Sequence, residues 1–133
     1  MEYLLDTHAL IWAIFEPDLL SPKVTEILSD KRNKIFVSTV SLWEISIKVT
    51  IGKLEHEKFN IPGFLTFCKQ LRFTVLNVTP ENAISYQSLP FFKNHRDPFD
   101  RMLIATAVAH RIPLISRDAR LVQYDGVGLM HVW

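Results

Sequence analysis

Four acidic residues occupy positions from which their carboxylates could act together on one bound ion. Asp6 follows a short apolar segment near the start of the chain, and Asp118 follows another near its end. Glu44 and Asp100 each fall in what we expect to be the first turn of a helix. Carboxylates held close together repel one another, and a hard divalent cation with oxygen ligands relieves that repulsion. Such a centre supports hydrolysis of a phosphodiester, because the cation lowers the pKa of a coordinated water and neutralises the phosphate.

An alternation of apolar strands and helices would bring these acids together. We predict strands at residues 3–5, 35–37, 74–76 and 114–115, and a short fifth strand at residues 129–132. We predict helices at residues 7–15, from 21–22 onwards, at 41–51 closed by Gly52, at 61–70, from 79–80 onwards, and from 97–98 to about residue 110. Helices between strands imply crossover connections and an α/β fold, with a mostly parallel sheet and helices on both faces. Because the carboxyl ends of parallel strands share one edge, all four carboxylates would point into one region.

The two acids at helix starts also have purely structural explanations. Ser41 and Glu44 have the spacing of a capping box, in which both side chains bind free backbone N–H groups. Asp97 is placed to cap the helix that contains Asp100, and Asp100 would favour the helix dipole. The residues alone therefore leave open which of Asp97 and Asp100 is the third functional acid, with Asp97 the better candidate for the cap.

The two acids that follow strands differ in how easily structure explains them. Asp118 could cap a short turn over residues 119–121. Asp6 has no such simple explanation, because a lone carboxylate at the end of a buried apolar strand costs free energy unless something needs it there. Each signal is weak when taken alone, and the convergence of the four on one sheet edge is what predicts a site.

Size and composition bound the class of protein. The 133 residues suit one domain, and a 48% hydrophobic fraction is enough for a core. No run approaches the roughly 18 consecutive apolar residues of a membrane helix, and no signal-peptide pattern opens the chain. Cys68 is the single cysteine, so we expect no internal disulfide and a cytoplasmic protein. The net charge of +1 excludes binding of nucleic acid by bulk charge alone.

Four segments resemble, in order, the motifs of PIN-domain ribonucleases. They are LLDTHAL at residues 4–10, SLWEI at 41–45 followed by Lys48 and by GKL at 52–54, DPFDRMLIATA at 97–107, and ISRD at 115–118. The short WEI and DPFDR variants look most like the VapC branch of that family. The resemblance implies one PIN domain over residues 1–133, with an acidic pocket that binds Mg²⁺ or Mn²⁺.

The resemblance also implies roles for individual residues. The metal-binding and catalytic carboxylates would be Asp6, Glu44, Asp100 and Asp118, with Asp97 as the alternative third acid. Hydroxyls that orient ligands or waters would come from Thr7 and Ser116. Basic side chains near the pocket could contact RNA phosphates or be ordinary solvated charges: Lys48, Arg101, Arg117 and Arg120.

Compact PIN domains of this type are commonly toxins of toxin–antitoxin pairs. The resemblance therefore implies an endoribonuclease with an RNA substrate, a homodimer, a small VapB-like antitoxin as partner, and no membrane association. Two alternatives remain: a catalytically silent PIN-like module that binds RNA or protein, and a stand-alone RNA-processing nuclease.

Several aromatic and histidine residues carry weaker expectations. Trp12 and Trp43 could stack on unpaired bases, although we expect both to pack in the core. Ile11, Trp12 and Phe15 exceed what a small core needs, which predicts an exposed patch for a dimer or an antitoxin helix. The five histidines have no metal-binding spacing, and His8, His95 and His110 are assigned no role.

Overall fold

A parallel β-sheet forms the centre of the protein. The computed structural model describes residues 1–55 and 57–133, which leaves His56 outside the description. Within those residues the strands are β1 (Glu2–Leu5), β2 (Lys34–Ser38), β3 (Phe73–Leu76), β4 (Leu114–Ile115) and β5 (His131–Val132). Their order is β3-β2-β1-β4-β5, and every neighbouring pair is parallel. The parallel α/β sheet predicted from the sequence is confirmed.

Helices connect successive strands and cover the sheet. They are α1 (Thr7–Phe15), α2 (Pro22–Ser29), α3 (Thr39–Thr50), α4 (Ile61–Gln70), α5 (Pro80–Gln87) and α6 (Pro98–His110), with 3₁₀ helices at Pro17–Leu19 and Ala119–Val127. The two predicted Ser/Thr-Pro starts are confirmed. Ser21 accepts a hydrogen bond from the Val24 N–H, and Thr79 forms a reciprocal capping box with Asn82. Proline at the first helical position loses nothing there, because its missing N–H would have had no partner in the helix.

Helix α3 begins two residues earlier than predicted. Its N-cap is Ser38, whose hydroxyl accepts from the Val40 N–H at 3.0 Å. Because β2 runs into α3 without a loop, the capping serine is the last residue of the strand. The predicted capping box of Ser41 and Glu44 is therefore wrong, and Glu44 lies beyond the first turn. After the helix ends, Gly52 adopts a positive φ of 76°, as its predicted role at the C-terminal end requires.

The core has two parts because adjacent residues of a strand face opposite sides of the sheet. Leu5 belongs to the cluster on one face and Leu4 to the cluster on the other, and both are almost fully buried. Phe64 and Cys68 of α4 join the first cluster, while Leu103 of α6 joins the second. This packing fixes β1 at the centre of the molecule and thereby fixes the position of Asp6.

Two expectations about apolar residues are corrected. Ile11 and Phe15 are half-buried and pack against the first core cluster, so they do not form the exposed patch expected of them. Trp43 is 63% exposed and packs edge-to-face on Phe99, with ring centroids 5.2 Å apart, because Ile45 takes the core-facing position of α3. In the described part of the chain, none of the helices has the length and apolarity needed to cross a membrane.

Candidate active site

Asp6 and Asp118 meet at the carboxyl edge of the sheet because β1 and β4 are neighbours. The backbone N–H of Asp6 donates to the Ile115 carbonyl at 3.0 Å, which ties the two strand ends together. The Asp6 carboxylate caps α1 by accepting from the Ala9 N–H at 2.7 Å. Asp118 caps the following 3₁₀ helix by accepting from the Arg120 N–H at 2.9 Å, as the sequence predicted. Both acids have a capping function, yet both also line one cavity.

The start of α6 separates the roles of two acids. Asp97 is the exposed N-cap, and its Oδ1 accepts from the Phe99 and Asp100 N–H groups at 2.9 and 3.0 Å. The cap predicted for Asp97 is thus confirmed. Asp100 lies in the first turn of α6, is partly buried, and lines the same cavity as Asp6 and Asp118. This arrangement favours Asp100 as the third acid.

Glu44 approaches the site from α3 and is only 6% exposed. Its Oε2 lies 2.8 Å from Lys48 Nζ, one helical turn away. Its Oε1 is buried and has no hydrogen-bond partner. A buried carboxylate oxygen without a partner is costly, so one side of Glu44 remains available to a positively charged ligand.

The cavity itself has a volume of about 310 Å³. Its wall combines the three carboxylates with apolar side chains such as Leu103 and Leu121. The remaining lining residues are His8, Trp12, His95, Leu114, Ser116, Arg117 and Arg120. Carboxylates against an apolar wall lie in a medium of lower polarity than water, which strengthens their repulsion.

Burial and repulsion both disfavour the charged form of Asp100. Burial raises its pKa to about 7, and the negative charges of Asp97, Asp6, Glu44 and Asp118 add to the effect. The carboxyl group of Asp100 is thus about half-protonated near neutral pH when no cation is bound. The contributions of Asp6, Glu44 and Asp118 also show that the charges of these three acids reach Asp100.

The two strand-end acids have pKa values shifted in opposite directions. Burial raises the pKa of Asp6, and hydrogen bonds from Ser116 and from the Ala9 N–H only partly offset this. The pKa of Asp118 is lowered, chiefly because the Arg120 guanidinium binds both of its oxygens, at 2.9 Å to Oδ1 and 2.8 Å to Oδ2. Burial thus disfavours the charged form of Asp6, whereas Arg120 stabilises the charged form of Asp118.

His95, to which the sequence assigned no role, lies beside these carboxylates. It is 2% exposed, and its Nε2 lies 3.3 Å from Asp118 Oδ2 without hydrogen-bond alignment. Its Nδ1 lies 2.9 Å from the Tyr124 hydroxyl. Burial lowers its pKa, and the nearby Asp118 charge only partly opposes that effect. The sequence offered one indication of this role, because His95 stands only five residues before Asp100. The histidines have no metal-binding spacing, so this indication was missed.

The two hydroxyl residues expected near the ligands are both buried. Thr7 Oγ1 donates to Ser41 Oγ at 3.0 Å and so joins α1 to α3. Ser116 Oγ accepts from the Asp118 N–H at 3.1 Å, and Ser116 lines the cavity beside Asp6. Thr7 thus contacts α3, the helix that carries Glu44, whereas Ser116 contacts Asp118 and Asp6.

The basic residues divide into surface and interior groups. Arg117 is exposed at the cavity, with its guanidinium 5.9 Å from the centre of the Trp12 ring. Lys48 is 31% exposed and paired with Glu44. Arg101 is 5% exposed and donates to the Pro90 carbonyl at 2.8 Å, so the contact with RNA expected of Arg101 is wrong. The position of Arg101 beside Asp100 on a helix cannot by itself reveal that the arginine side chain turns inward.

The donor set fits a divalent cation. Carboxylate oxygens predominate, the buried Glu44 Oε1 lacks a partner, and burial together with neighbouring negative charges raises the pKa of Asp100. Ligand atoms of Asp100, Asp118 and His95 all lie within 4.8 Å of one another. Hard oxygen ligands in this number suit a hard divalent cation.

Acids that follow β1 and β4, or lie on α3 and α6, come together at one edge of a parallel α/β sheet. This arrangement defines a class of protein. Residues 3–127 match the PIN domain family. That match spans nearly all of the 133 residues, and the chain belongs to the PIN domain family.

Individual relatives are similar over their full length. A curated protein from Mycobacterium tuberculosis, ribonuclease VapC22, is 29% identical over 132 residues, which cover 98% of this chain and 97% of that protein. The VapBC2 structure from Rickettsia felis, bound to a promoter DNA fragment, matches with a TM-score of 0.72 at 19% identity, over 99% and 98% of the two chains. DNA-bound VapBC from Salmonella typhimurium matches with a TM-score of 0.69 at 17% identity, over 99% and 97%. At these identities the structural likeness shows a shared fold.

Proposed function

We propose that this protein is a metal-dependent endoribonuclease that hydrolyses RNA phosphodiester bonds with Mg²⁺ or Mn²⁺. The observation that carries the proposal is that Asp6, Asp100 and Asp118 line one cavity, while the Glu44 charge lies near enough to raise the pKa of Asp100. Burial, reinforced by the negative charges of the neighbouring acids, raises the pKa of Asp100 to about 7, and Glu44 Oε1 is buried without a hydrogen-bond partner. Membership of the PIN domain family and the similarity to a curated ribonuclease support the same activity.

Different residues of the chain have different roles in the proposed reaction. Asp6, Asp100, Asp118 and the free oxygen of Glu44 would hold the cation. When bound, a divalent cation supplies a more acidic water and neutralises charge on the scissile phosphate. The pairing of Arg120 with Asp118 and of Lys48 with Glu44 keeps two carboxylates in position. Exposed Arg117, at the cavity mouth, would attract the RNA backbone, because guanidinium groups bind phosphate well.

The activity is tested by incubating the purified chain with a mixed RNA panel in Mg²⁺, in Mn²⁺ and in EDTA. An Asp6→Ala variant serves as the inactive comparison, and Asp18→Ala, at an exposed position of the first 3₁₀ helix, is the matched control. We expect metal-dependent cleavage by the wild type and by Asp18→Ala, and none by Asp6→Ala. Single-stranded DNA in the same panel distinguishes a ribonuclease from a general nuclease. Failure of the wild type both to bind metal and to cleave would favour the catalytically silent module.

The biological role we propose is that of the toxin in a VapBC-type pair, with a small antitoxin as partner. Support comes from structural neighbours that are VapBC assemblies and from a relative that is a VapC ribonuclease. Such a toxin would act on cytoplasmic RNA as a homodimer. Induced expression of the wild type should arrest growth, whereas Asp6→Ala should not. Rescue by the product of a small neighbouring gene supports a toxin, and no arrest supports a stand-alone processing nuclease. Light scattering on the purified chain tests the dimer.

A further inference from the structure

We propose that His95 is a positioning residue for Asp118. In this assignment the ring is neutral, carries its proton on Nε2, and directs that proton at Asp118 Oδ2 from the buried side of the cavity. The inference rests on the proposed function, since it assigns a role within the same site. It arises from a chain of contacts that runs from Arg101 through Tyr124 to His95.

The order of donors along this chain fixes the proton on the ring. A guanidinium only donates, so the Tyr124 oxygen must accept in its 3.3 Å contact with Arg101 Nη1. The single phenolic proton of Tyr124 is then free to be donated, and His95 Nδ1 lies 2.9 Å away. Tyr124 is fully buried, and among the described contacts of its hydroxyl His95 Nδ1 is the one acceptor. A proton on Nδ1 would therefore leave the phenolic proton without an acceptor, so the ring proton belongs on Nε2.

The protonated Nε2 faces Asp118 and has no competing partner. The two atoms are 3.3 Å apart, and Nε2 is buried without a hydrogen bond to any described residue. A small rotation of either side chain would bring the N–H into line with the carboxylate oxygen. Arg120, whose side chain is 50% exposed, holds the outer side of Asp118. The buried His95 is the more rigid of the two contacts, because its own ring is fixed by Tyr124.

A competing assignment would make His95 Nε2 a direct metal ligand together with Asp100 and Asp118. The mutual separation of at most 4.8 Å between their ligand atoms allows this geometry. Metal ligation, however, needs an unprotonated Nε2. The ring proton would then have to lie on Nδ1, which conflicts with the hydrogen bonds from Arg101 to Tyr124 and from Tyr124 to His95. The two assignments differ in the position of one proton and can be separated by experiment.

The first test compares two substitutions that retain an amide at different places on the ring. In His95→Gln the side-chain amide reaches the position of Nε2, whereas in His95→Asn it reaches only that of Nδ1. Tyr124→Phe removes the hydroxyl that orders the ring and leaves the Arg101 contact with Pro90. Calorimetric Mn²⁺ titration of RNA-free protein should give a 10–100-fold weaker affinity for His95→Asn, as for other losses of support behind a metal ligand. We expect His95→Gln to stay within a few-fold of the wild type, and Tyr124→Phe to weaken binding as His95→Asn does.

The second test reads the tautomer directly by long-range ¹⁵N–¹H NMR of the histidine rings. The signal of His95 is the one that disappears in His95→Gln, and it should show the Nε2–H form both with and without Mg²⁺. Loss of the Nε2 proton on addition of Mg²⁺, or a proton on Nδ1, would overturn the proposal. Equal Mn²⁺ affinities for His95→Asn and His95→Gln would overturn it as well. The tautomer is read without metal or RNA, so the result is distinct from failure of the proposed nuclease activity. Thermal melts establish whether each variant is folded. If a His95 variant does not fold, Tyr124→Phe still tests the proposal, because it removes only one oxygen.

Discussion

Lys48 Nζ lies 2.8 Å from Glu44 Oε2, while the other oxygen of that carboxylate, Oε1, is buried without a hydrogen-bond partner. The lysine therefore compensates one oxygen of the carboxylate and leaves the other oxygen without a partner. Lys48 was a candidate for contact with RNA phosphates, but its charge is already engaged by an acid of the site. Its main effect should be on the stability of the metal-free protein.

The first prediction concerns this pair. Replacing Lys48 by Met should lower the free energy of unfolding by roughly 1–3 kcal/mol in EDTA, because it leaves a buried carboxylate uncompensated, with partial solvent screening. In a Glu44→Gln background the same replacement should cost much less. Urea unfolding of the four proteins gives the coupling energy as a double-mutant cycle. Lys53→Met, at an exposed position, is the matched control, and a coupling energy near zero would show that the pair contributes nothing.

The second prediction is a pH dependence that arises from Asp100. Its pKa rises from the ordinary 3.8 to about 7 in the folded protein, so between these values the folded state binds more protons than the unfolded state. Stability must then fall as pH rises through this window. In EDTA, the wild type should lose stability relative to Asp100→Asn between about pH 4 and pH 7, a difference read from urea midpoints at each pH.

Divalent cations should reverse this trend, because they bind the ionised carboxylates. The increase in melting temperature produced by Mn²⁺ should therefore grow as pH rises towards and past about 7. The Asp100→Asn variant should gain little from Mn²⁺ at any pH. A wild-type gain that is the same at pH 5.5 and pH 8 would contradict the raised pKa of Asp100.

The third prediction separates the two neighbouring acids of α6. Asn caps helices about as well as Asp, so Asp97→Asn should keep both stability and RNA cleavage, whereas Asp97→Ala should cost about 1 kcal/mol of stability. Asp97→Asn also removes a charge that raises the pKa of Asp100, so metal binding should extend to lower pH. Asp100→Asn should abolish cleavage without loss of folding. Cleavage lost in Asp97→Asn and kept in Asp100→Asn would reverse the assignment.

The fourth prediction contrasts Arg117 and Arg101, which the sequence analysis treated alike as candidates for contact with RNA phosphates. Arg117→Ala should leave the melting temperature unchanged and weaken RNA binding, with the slope of log affinity against log salt reduced by about 1. Arg101→Ala should instead destabilise the fold by roughly 2–4 kcal/mol, since it removes buried hydrogen bonds to Pro90 and Tyr124. Fluorescence anisotropy with labelled RNA and thermal melts measure the two effects. A cleavage-deficient Asp6→Ala background keeps the RNA intact during the binding measurement.

The sequence predicted those features that depend on local chemistry or on periodicity. The Ser/Thr-Pro pairs at Ser21 and Thr79 are visible as helix starts because a cap needs only the residues beside it. The meeting of Asp6 with Asp118 could be predicted because parallel topology alone brings the ends of β1 and β4 to one edge. The start of α3 could not, since both Ser38 and Ser41 can cap a helix. The decision depends on whether a loop separates β2 from α3.

The features that were missed depend on which way a side chain turns once the fold is complete. Trp43 and Arg101 have side chains whose type predicts burial and exposure respectively, and the packing around them produces the reverse. His95 is buried because Tyr124, twenty-nine positions later, returns beside it and binds its ring. Such a contact between distant residues has no periodic or compositional signature in one sequence.

The position of β1 in the middle of the sheet has a consequence for the order of events during synthesis. Asp6 is synthesised long before Asp118, yet it becomes part of a centre only when β4 pairs with β1 and brings Asp118 beside it. Parallel pairing between segments so far apart in sequence is slow, because the intervening chain must be ordered first. We therefore expect a nascent chain to be harmless to the RNA from which it is being translated. Folding itself would delay the moment at which the nuclease becomes active.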